Sequence, residues 1–455
     1  MKILNPANLA LVAEVEEDTP ASVAAAYARA RRAQPAWATT PLETRLAAIT
    51  RFRELVAERK DELALTLTRE MGKPITQSHN ELAALSGRID FFLTHTAGVL
   101  DEETVHTQPN ALAEVITHEP LGVIANVSAW NYPWFVGSNV FVPALLTGNA
   151  VLYKPSEHAT LTGQHIAELL HLAGVPEDVF VTVVGGGAIG AAVVEQPVDG
   201  VFFTGSYATG RRIAERVALR MIRLQLELGG KDPTYVTEDV DVRAAAESLA
   251  DGAMYNGGQS CCSVERIYVH EKIYDAFVDA YVKEVKGFKV GDPLDEATYI
   301  GAITRKPQLA VLQKQVSDAK KKGARLLAGG APIKGKGNWF APTVLADTDH
   351  TMLVMRDESF GPIIGLQPVA DDAAAVELMN DTEYGLTAGV YCRDEKRAKR
   401  ILKRVNAGTV YWNCCDRVSP RLPWSGVKHS GIGLTLSTYG IQTFTRPKAW
   451  HLRTA

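Results

Sequence analysis

The chain has 455 residues, 46% of them hydrophobic and 22% charged, with 48 Lys and Arg against 52 Asp and Glu for a net charge of −4. That length exceeds one typical core and calls for two or three domains, and the slight acidity offers no case for a nucleic-acid partner. No apolar run approaches the ~20 residues of a membrane helix and no basic-then-apolar leader opens the chain, so a cytoplasmic protein with no membrane partner is expected.

Residues 20–37 are alanine-rich, with Thr19 or Ser22 placed to cap a helix, and 41–72 continue with apolar residues at helical spacing. Residues 113–127 switch to strand character, interrupted by Pro120 and Gly122. A helix is predicted over 136–149, a buried strand over 150–156, and a capped helix over 160–175 that ends at Gly174. Strand, helix, strand and helix follow over 179–187, 187–196, 198–206 and 207–218. The alternation resumes after residue 229. Helices are predicted over 241–256, 274–288 and 394–406, and strands over 265–270, 324–330, 363–370, 388–394 and 408–413. Alternation of this kind indicates α/β architecture with parallel sheets. There is no repeat of 20–50 residues and no low-complexity linker.

The five cysteines are Cys261, Cys262, Cys392, Cys414 and Cys415. An odd count in a long chain argues against a disulfide scaffold, and adjacent Cys-Cys pairs lack the two-to-four-residue spacing of zinc ligands, so no metal is expected. Reactive chemistry or burial is left for the thiols. Asn256-Gly257-Gly258-Gln259-Ser260-Cys261-Cys262 exposes backbone just ahead of a thiol, which becomes a strong nucleophile once ionised. Glu227 precedes a Gly229-Gly230 turn within an apolar strand, where burial raises a carboxylate toward general-base range. Each has a plain alternative, a packed thiol and a turn-capping acid. Two glycine turns lie between a strand and a helix. Residues 185–190 satisfy G-x-G-x-x-G, but Gly210 stands where an acid is expected about 20 positions on. Gly205 and Ser206 begin the next helix and are equally suited to holding phosphate.

Eight motifs in one order resolve these alternatives. They are Trp130-Asn131-Tyr132-Pro133, Lys154-Pro155-Ser156-Glu157, Phe203-Thr204-Gly205-Ser206 with Gly210, and Leu226-Glu227-Leu228-Gly229-Gly230-Lys231. Gly258-Gln259-Ser260-Cys261, Glu358-Ser359-Phe360-Gly361-Pro362, Asn380 to Leu386, and Ser425 to Gly431 complete the set. Over essentially its whole length the chain resembles the aldehyde dehydrogenase superfamily, of the hydrolytic type that does not acylate coenzyme A. The resemblance implies a Rossmann-like cofactor domain (1–101 and 121–229), an α/β catalytic domain (230–433) and a small β oligomerisation element (102–120 and 434–455), assembled as a homodimer or homotetramer. Cys261 is then the nucleophile, Asn131 and the Cys261 N–H are the oxyanion donors, and Glu227 activates the water that hydrolyses a thioester. The resemblance assigns Trp130, Lys154, Ser156, Glu157, Gly190, Gly205, Ser206, Leu228, Glu358 and Phe360 to the cofactor. Gly205 and Ser206 take the pyrophosphate, and the 185–190 turn falls toward the adenine. A carboxylate at Glu157 favours NAD while NADP is still admitted. Lys231 and Lys428 are read as structural or surface residues.

Substrate choice is expected in a tunnel lined by Tyr132, Phe135, Ser260, Cys262, Arg417, Arg421 and Trp424. Tyr132, Phe135 and Trp424 suit an apolar aldehyde. Arg417 and Arg421 suit a carboxylate, which would make the substrate a semialdehyde such as succinate semialdehyde. Cys414 or Cys415 is expected to approach Cys261 or Cys262 closely enough for a redox switch. After Gly433 the chain departs from the family pattern with Leu434-Thr435, a change expected to bear on the oligomer interface. The rival classes are a cofactor-independent thioesterase-like hydrolase and a non-catalytic structural protein. The joint presence of Cys261, Glu227 and Asn131 disfavours both.

Overall fold

The computed structural model describes residues 1–109 and 111–454. Asn110 and Ala455, both within the expected oligomerisation element, lie outside the described residues. The described residues form two large sheets and two small ones. The first large sheet has six strands in the spatial order Gly431–Ile432, Arg223–Glu227, Gly200–Thr204, Val123–Val127, Ala150–Lys154 and Phe180–Thr182. All are parallel except Gly431–Ile432. The second has seven, Arg325–Ala328, Thr343–Ala346, Ile363–Val369, Val264–His270, Asp232–Val236, Thr387–Tyr391 and Thr409–Trp412, with only the first antiparallel. Strands Val123–Val127, Ala150–Lys154 and Asp232–Val236 are buried at every position, as expected of parallel sheets covered on both faces.

Gly229 and Gly230 separate the last parallel strand of one sheet from the first strand of the other, so the chain crosses between the sheets at the Glu227 motif. The short strand Gly431–Ile432 returns from the C-terminal part of the chain to pair with Leu226 and Glu227. A third sheet, antiparallel, joins Thr445–Arg453, Leu112–Pro120 and Glu103–Gln108. Its outer strands are largely exposed, and Val105, Trp450 and Leu452 face solvent.

Several expectations are refined. Thr19 caps the helix Pro20–Thr39, and Ser22 reciprocates by accepting from the Thr19 N–H at 2.8 Å. The helix Thr160–Leu172 has no cap of its own. Glu70, from the helix Lys60–Met71, accepts from the N–H groups of Leu161 and Thr162 at 2.7 and 3.0 Å instead. Burial pushes that carboxyl up to about 7, against the opposing pull of these donors. The segment 113–127 divides into two strands in different sheets, because Pro120 lacks an N–H and Gly122 adopts φ +133. Within 434–455, expected as part of a β element, the strand begins only at Thr445, after the helix Ser437–Gln442. The sequence reading passed over the N-terminal hairpin Lys2–Leu4/Leu11–Glu14 and the helices Ile75–Leu100, Lys306–Lys321 and Asp372–Asn380. The 26-residue helix Ile75–Leu100 matters most, since it forms one wall of the site.

Candidate active site

Two cavities, of about 720 and 640 Å³, meet at Asn131, Thr204, Glu227 and Cys261. The larger is built where strands of the first sheet end and their helices begin, the location at which open α/β sheets bind ligands. The strand Gly200–Thr204 turns at Gly205 into the helix Tyr207–Val217, where Ser206 is the N-cap and accepts from the Thr209 N–H. A Cβ on Gly205 would lie 2.4 Å from the Phe203 ring, so the tight turn requires glycine. The helix Gly187–Glu195 presents Gly187, Gly190, Ala191 and Val194 to the same cavity, a small-residue surface that keeps one end wide.

Lys154 and Glu157 pair at 3.3 Å on the rim of the same cavity, with Ser156 between them. Burial is the largest influence on the Glu157 carboxyl and raises it, but the charge and hydrogen bond of Lys154, a backbone N–H and the charge of His158 together outweigh burial and hold Glu157 below the usual carboxylate range. Glu358 faces the middle of the cavity and accepts from the Gly230 N–H at 3.1 Å. Burial, reinforced by the charge of Glu265, lifts its carboxyl to about 8. A Cβ on Gly229 would stand 2.3 Å from that carboxylate. Phe360 packs edge-on against Trp130 at 5.5 Å between ring centroids. Leu228 completes the floor against Gly210. All ten residues expected to hold a cofactor therefore line this one cavity. Lys231 lies beneath it, fully buried, donating to Glu265 at 2.5 Å and to Ser359 at 2.9 Å, which makes it a structural ion. Lys428 donates to the carbonyls of Asn380 and Thr382 on the surface.

At the junction, Asn256, Gly257 and Gly258 all adopt positive φ, 54°, 62° and 68°, and carry the chain tightly into Cys261. A Cβ on Gly258 would lie 2.3 Å from the Gly361 carbonyl oxygen, so no other residue fits. Cys261 Sγ lies 3.9 Å from Glu227 Oε1. The Trp424 indole N–H donates to the same Glu227 oxygen at 2.6 Å. Burial raises Glu227 to about 6, tempered by the Trp424 hydrogen bond and the charge of Arg88. The Cys262 contact lowers the Cys261 thiol, but burial and Glu227 together leave it above its ordinary value. Cys262 is pushed far higher, by Cys261, burial and the neighbouring Asp416 carboxylate, whose Oδ1 accepts its S–H at 3.0 Å. Of the two thiols Cys261 is the easier to ionise, and it is the one that touches both cavities. Asn131 Nδ2 points into the junction and donates to the Gln259 carbonyl at 3.1 Å. Its own carbonyl is pinned by Lys73 Nζ at 2.8 Å and by Asn256 Nδ2 at 3.2 Å.

The smaller cavity is lined by all seven expected tunnel residues. Tyr132 and Phe135 stack at 6.0 Å with an interplanar angle of 9°. Arg417 and Arg421 are exposed, so they stand at the entrance. Three outcomes differ from expectation. Trp424, expected as an apolar wall, also orients Glu227. Its main chain is held from behind by a two-way pairing with the buried Thr435, at 2.7 and 2.9 Å, so the Leu434-Thr435 departure, expected to bear on the oligomer interface, also supports the tunnel wall. Cys414 and Cys415 line neither cavity. Cys415 turns into the core against Tyr391 and the Ser248 carbonyl, and Asp416 takes the place beside Cys262.

Sequence reasoning missed Lys73, Glu81, Arg88 and Asp416. Lys73 pairs with Glu81 at 2.5 Å with both side chains fully enclosed, and its ammonium sits 3.9 Å from the Tyr132 ring centroid. The available signal was an acid and an arginine one helical face apart, Glu81 and Arg88, within an otherwise apolar stretch.

Comparison with known proteins matches this arrangement. The family model described as "Aldehyde dehydrogenase family" matches residues 1–450. The chain is 36% identical over 432 residues, 94% of its length and 83% of the relative, to a putative succinate-semialdehyde dehydrogenase [NADP(+)] of Mycobacterium ulcerans. It is 34% identical over 457 residues, 98% of its length and 91% of the relative, to aminoaldehyde dehydrogenase 2, peroxisomal, of Pisum sativum. The crystal structure of an NAD-dependent aldehyde dehydrogenase from Sinorhizobium meliloti superposes with a TM-score of 0.96 at 33% identity, over 99% of this chain and 91% of that one. The chain belongs to the aldehyde dehydrogenase family, and it is an NAD(P)-dependent oxidoreductase that oxidises aldehydes.

Proposed function

We propose that Cys261 is the nucleophile and Glu227 the base of a hydrolytic aldehyde oxidation that releases a free carboxylic acid. The observation that carries this reading is the 3.9 Å approach of Cys261 Sγ to Glu227 Oε1 where the two cavities meet. Glu227 takes the thiol proton, and the thiolate adds to the aldehyde carbon. The resulting alkoxide is held by Asn131 Nδ2 and the Cys261 N–H, and removing one such donor typically costs ~10²–10³ in kcat. A nicotinamide dinucleotide held in the larger cavity would supply the acceptor for the hydride of that carbon, and loss of the hydride leaves a thioester on Cys261. Glu227, once it has passed the thiol proton to solvent, deprotonates water; the hydroxide adds to the thioester carbon, the C–S bond breaks, and the departing Cys261 thiolate takes the proton back from Glu227 as the acid is released.

The larger cavity suits the dinucleotide on its donor chemistry. Ser206 and the helix start behind it would hold the pyrophosphate, Lys154 and Glu157 the adenosine ribose, and Glu358 the nicotinamide ribose, with Phe360 and Trp130 against the nicotinamide. The Gly190 side of the cavity is open enough for adenine. An ionised Glu157 on that rim repels a 2′-phosphate and supports a preference for NAD, with NADP still accepted. We assign cofactor binding to 1–101 and 121–229, catalysis to 230–433, and assembly as a homodimer or homotetramer to 102–120 and 434–455. The exposed Val105, Trp450 and Leu452 support that last assignment. Five free cysteines, the nucleophile among them, suit the reducing cytoplasm.

The test is a rapid-mixing record of reduced-nicotinamide absorbance with Glu227→Gln. A burst of one hydride per site followed by a stall, with steady-state turnover down ~10²–10⁴-fold, is expected. A variant that turns over at the wild-type rate overturns the role of Glu227, and no reduction by the wild type with any of a broad aldehyde panel overturns the whole reading.

A further inference from the structure

The tunnel contains four carboxylates, and each is engaged. Glu81 holds Lys73 and the Trp134 N–H, Glu227 holds Trp424, Asp416 holds Ser260 and Cys262, and Asp251 accepts from Tyr299. Its buried cation is not so engaged. Arg88, on the helix Ile75–Leu100, is 5% exposed and lines the cavity. Its Nη1 donates to Asn139 Oδ1 at 2.5 Å, and its guanidinium lies 4.3 Å from the Phe135 ring centroid. Its Nε has no acceptor, Nη2 has none among the described residues, and Arg88 forms no ion pair there. Nε and Nη2 share the edge of a guanidinium that meets a carboxylate through two parallel hydrogen bonds. A buried arginine without an anion is costly, and the usual solution is a partner that arrives from outside. Burial lowers Arg88 to about 10, still charged at neutral pH.

We propose that Arg88 is the anchor for a carboxylate at the far end of the substrate, which makes this protein a dehydrogenase of short aldehydes bearing a terminal carboxylate. The proposal rests on the dehydrogenase reading and specifies its substrate class. It moves the anion-binding role inward from Arg417 and Arg421, whose exposed guanidiniums at the entrance attract an anion by field alone. The chain must be short, because Arg88 lines the same cavity of about 640 Å³ as Glu227 and Cys261 at the reacting end. Asn139 and Phe135 position the guanidinium. The same aromatic wall disfavours the opposite substrate. Tyr132 and Phe135, the rings that could cradle an ammonium, each already carry a cation of the chain itself.

The experiment compares 4-oxobutanoate, its methyl ester, 4-aminobutanal and glyceraldehyde 3-phosphate as substrates of the purified full chain with NAD and with NADP. The acid is expected to exceed its ester about 100-fold in kcat/KM, chiefly through KM, as charged hydrogen bonds typically deliver. In Arg88→Gln that ratio should fall about 100-fold, with part recovered in Arg88→Lys. Equal use of acid and ester by the wild type, preference for the amine or the phosphate, or an unchanged ratio in Arg88→Gln overturns the proposal. Oxidation of the ester in those cases leaves the dehydrogenase reading standing, whereas no reduction with any substrate removes that reading itself. Should the variants fail to fold, succinate is expected to protect wild-type Cys261 from iodoacetamide while betaine does not, and equal alkylation with and without succinate overturns the anchor.

Discussion

The two cavities that meet at Cys261 are built on different principles. The cofactor cavity is made of short contiguous segments, 154–157, 204–206, 227–229 and 358–360, each lying in a loop that follows a strand or precedes a helix. Its glycines leave room for neighbouring side chains: a Cβ would lie 2.4 Å from the Phe203 ring at Gly205 and 2.3 Å from the Glu358 carboxylate at Gly229. The tunnel is made of side chains brought together from distant parts of the chain, chiefly the helix Ile75–Leu100, the segment from Asn131 into the helix Pro133–Leu146, residues 260–262 and the 416–424 segment. Its character comes from ion pairs, from stacked rings and from an arginine without an anion. A site built of such crowded turns tolerates little change of residue type, whereas one built of side chains from distant segments can be re-specified by a few substitutions.

The largest effect expected falls on neither wall but on the point they share. Cys261→Ala should lower kcat by about 10⁴-fold or more while leaving cofactor titration by fluorescence intact, because the thiol is needed only for chemistry. Loss of cofactor binding in that variant would mean the two cavities are not separable.

Gly229→Ala tests the cofactor side. Its methyl group must displace the Glu358 carboxylate, and crowding of this kind costs ~1–3 kcal/mol. The dissociation constant for NAD should therefore rise about 10–100-fold, and the alkylation rate of Cys261 by a neutral reagent in the absence of NAD should hardly change. An unchanged NAD affinity would remove Glu358 from the cofactor contacts.

Trp424→Phe tests the tunnel side through its hold on Glu227. The indole N–H stabilises the carboxylate form, so its loss raises the Glu227 pKa from about 6. Glu227 works as a base only when ionised, so activity falls as pH drops through that value. The acidic limb of the pH–rate profile should move up by about one pH unit, in line with a charge-assisted hydrogen bond. A limb that stays in place would assign it to another group. The smallest effect is at the cofactor rim. Glu157→Gln removes a negative charge and should shift the NADP/NAD ratio of kcat/KM about fivefold toward NADP. No shift would mean that Glu157 does not face the 2′ position.

The same contrast explains which parts of the molecule were readable in advance. The strand–helix alternation from 123 to 227 follows from buried apolar runs and turn glycines, both local signals. Cys261, Glu227 and the cofactor-cavity residues sit in such turns, so their motifs carry their positions. Lys73 lies just after the helix Lys60–Met71, and Glu81 and Arg88 sit on the helix Ile75–Leu100; the surroundings of all three come from other parts of the chain, so an acid and an arginine on one helical face are only a hint, and packing decides that Arg88 is buried. Asp416 was passed over for a similar reason. It occupies a positive-φ position in a loop, and only its contacts with Ser260 and Cys262 reveal a function. Cys415 shows the converse, since a neighbour in sequence of the tunnel loop points into the core.

Local order of residues was enough to establish the α/β class and the family and to propose the nucleophile, the base and the cofactor cavity, because each depends on a short segment with its own turn geometry. It could not establish which charges face the substrate. That depended on bringing a helix from 75–100 against the rings at 132 and 135 and the loop at 416–424. Burial and pairing arise only when distant segments pack, and they leave Arg88 enclosed and without an anion beside the reacting end of the tunnel.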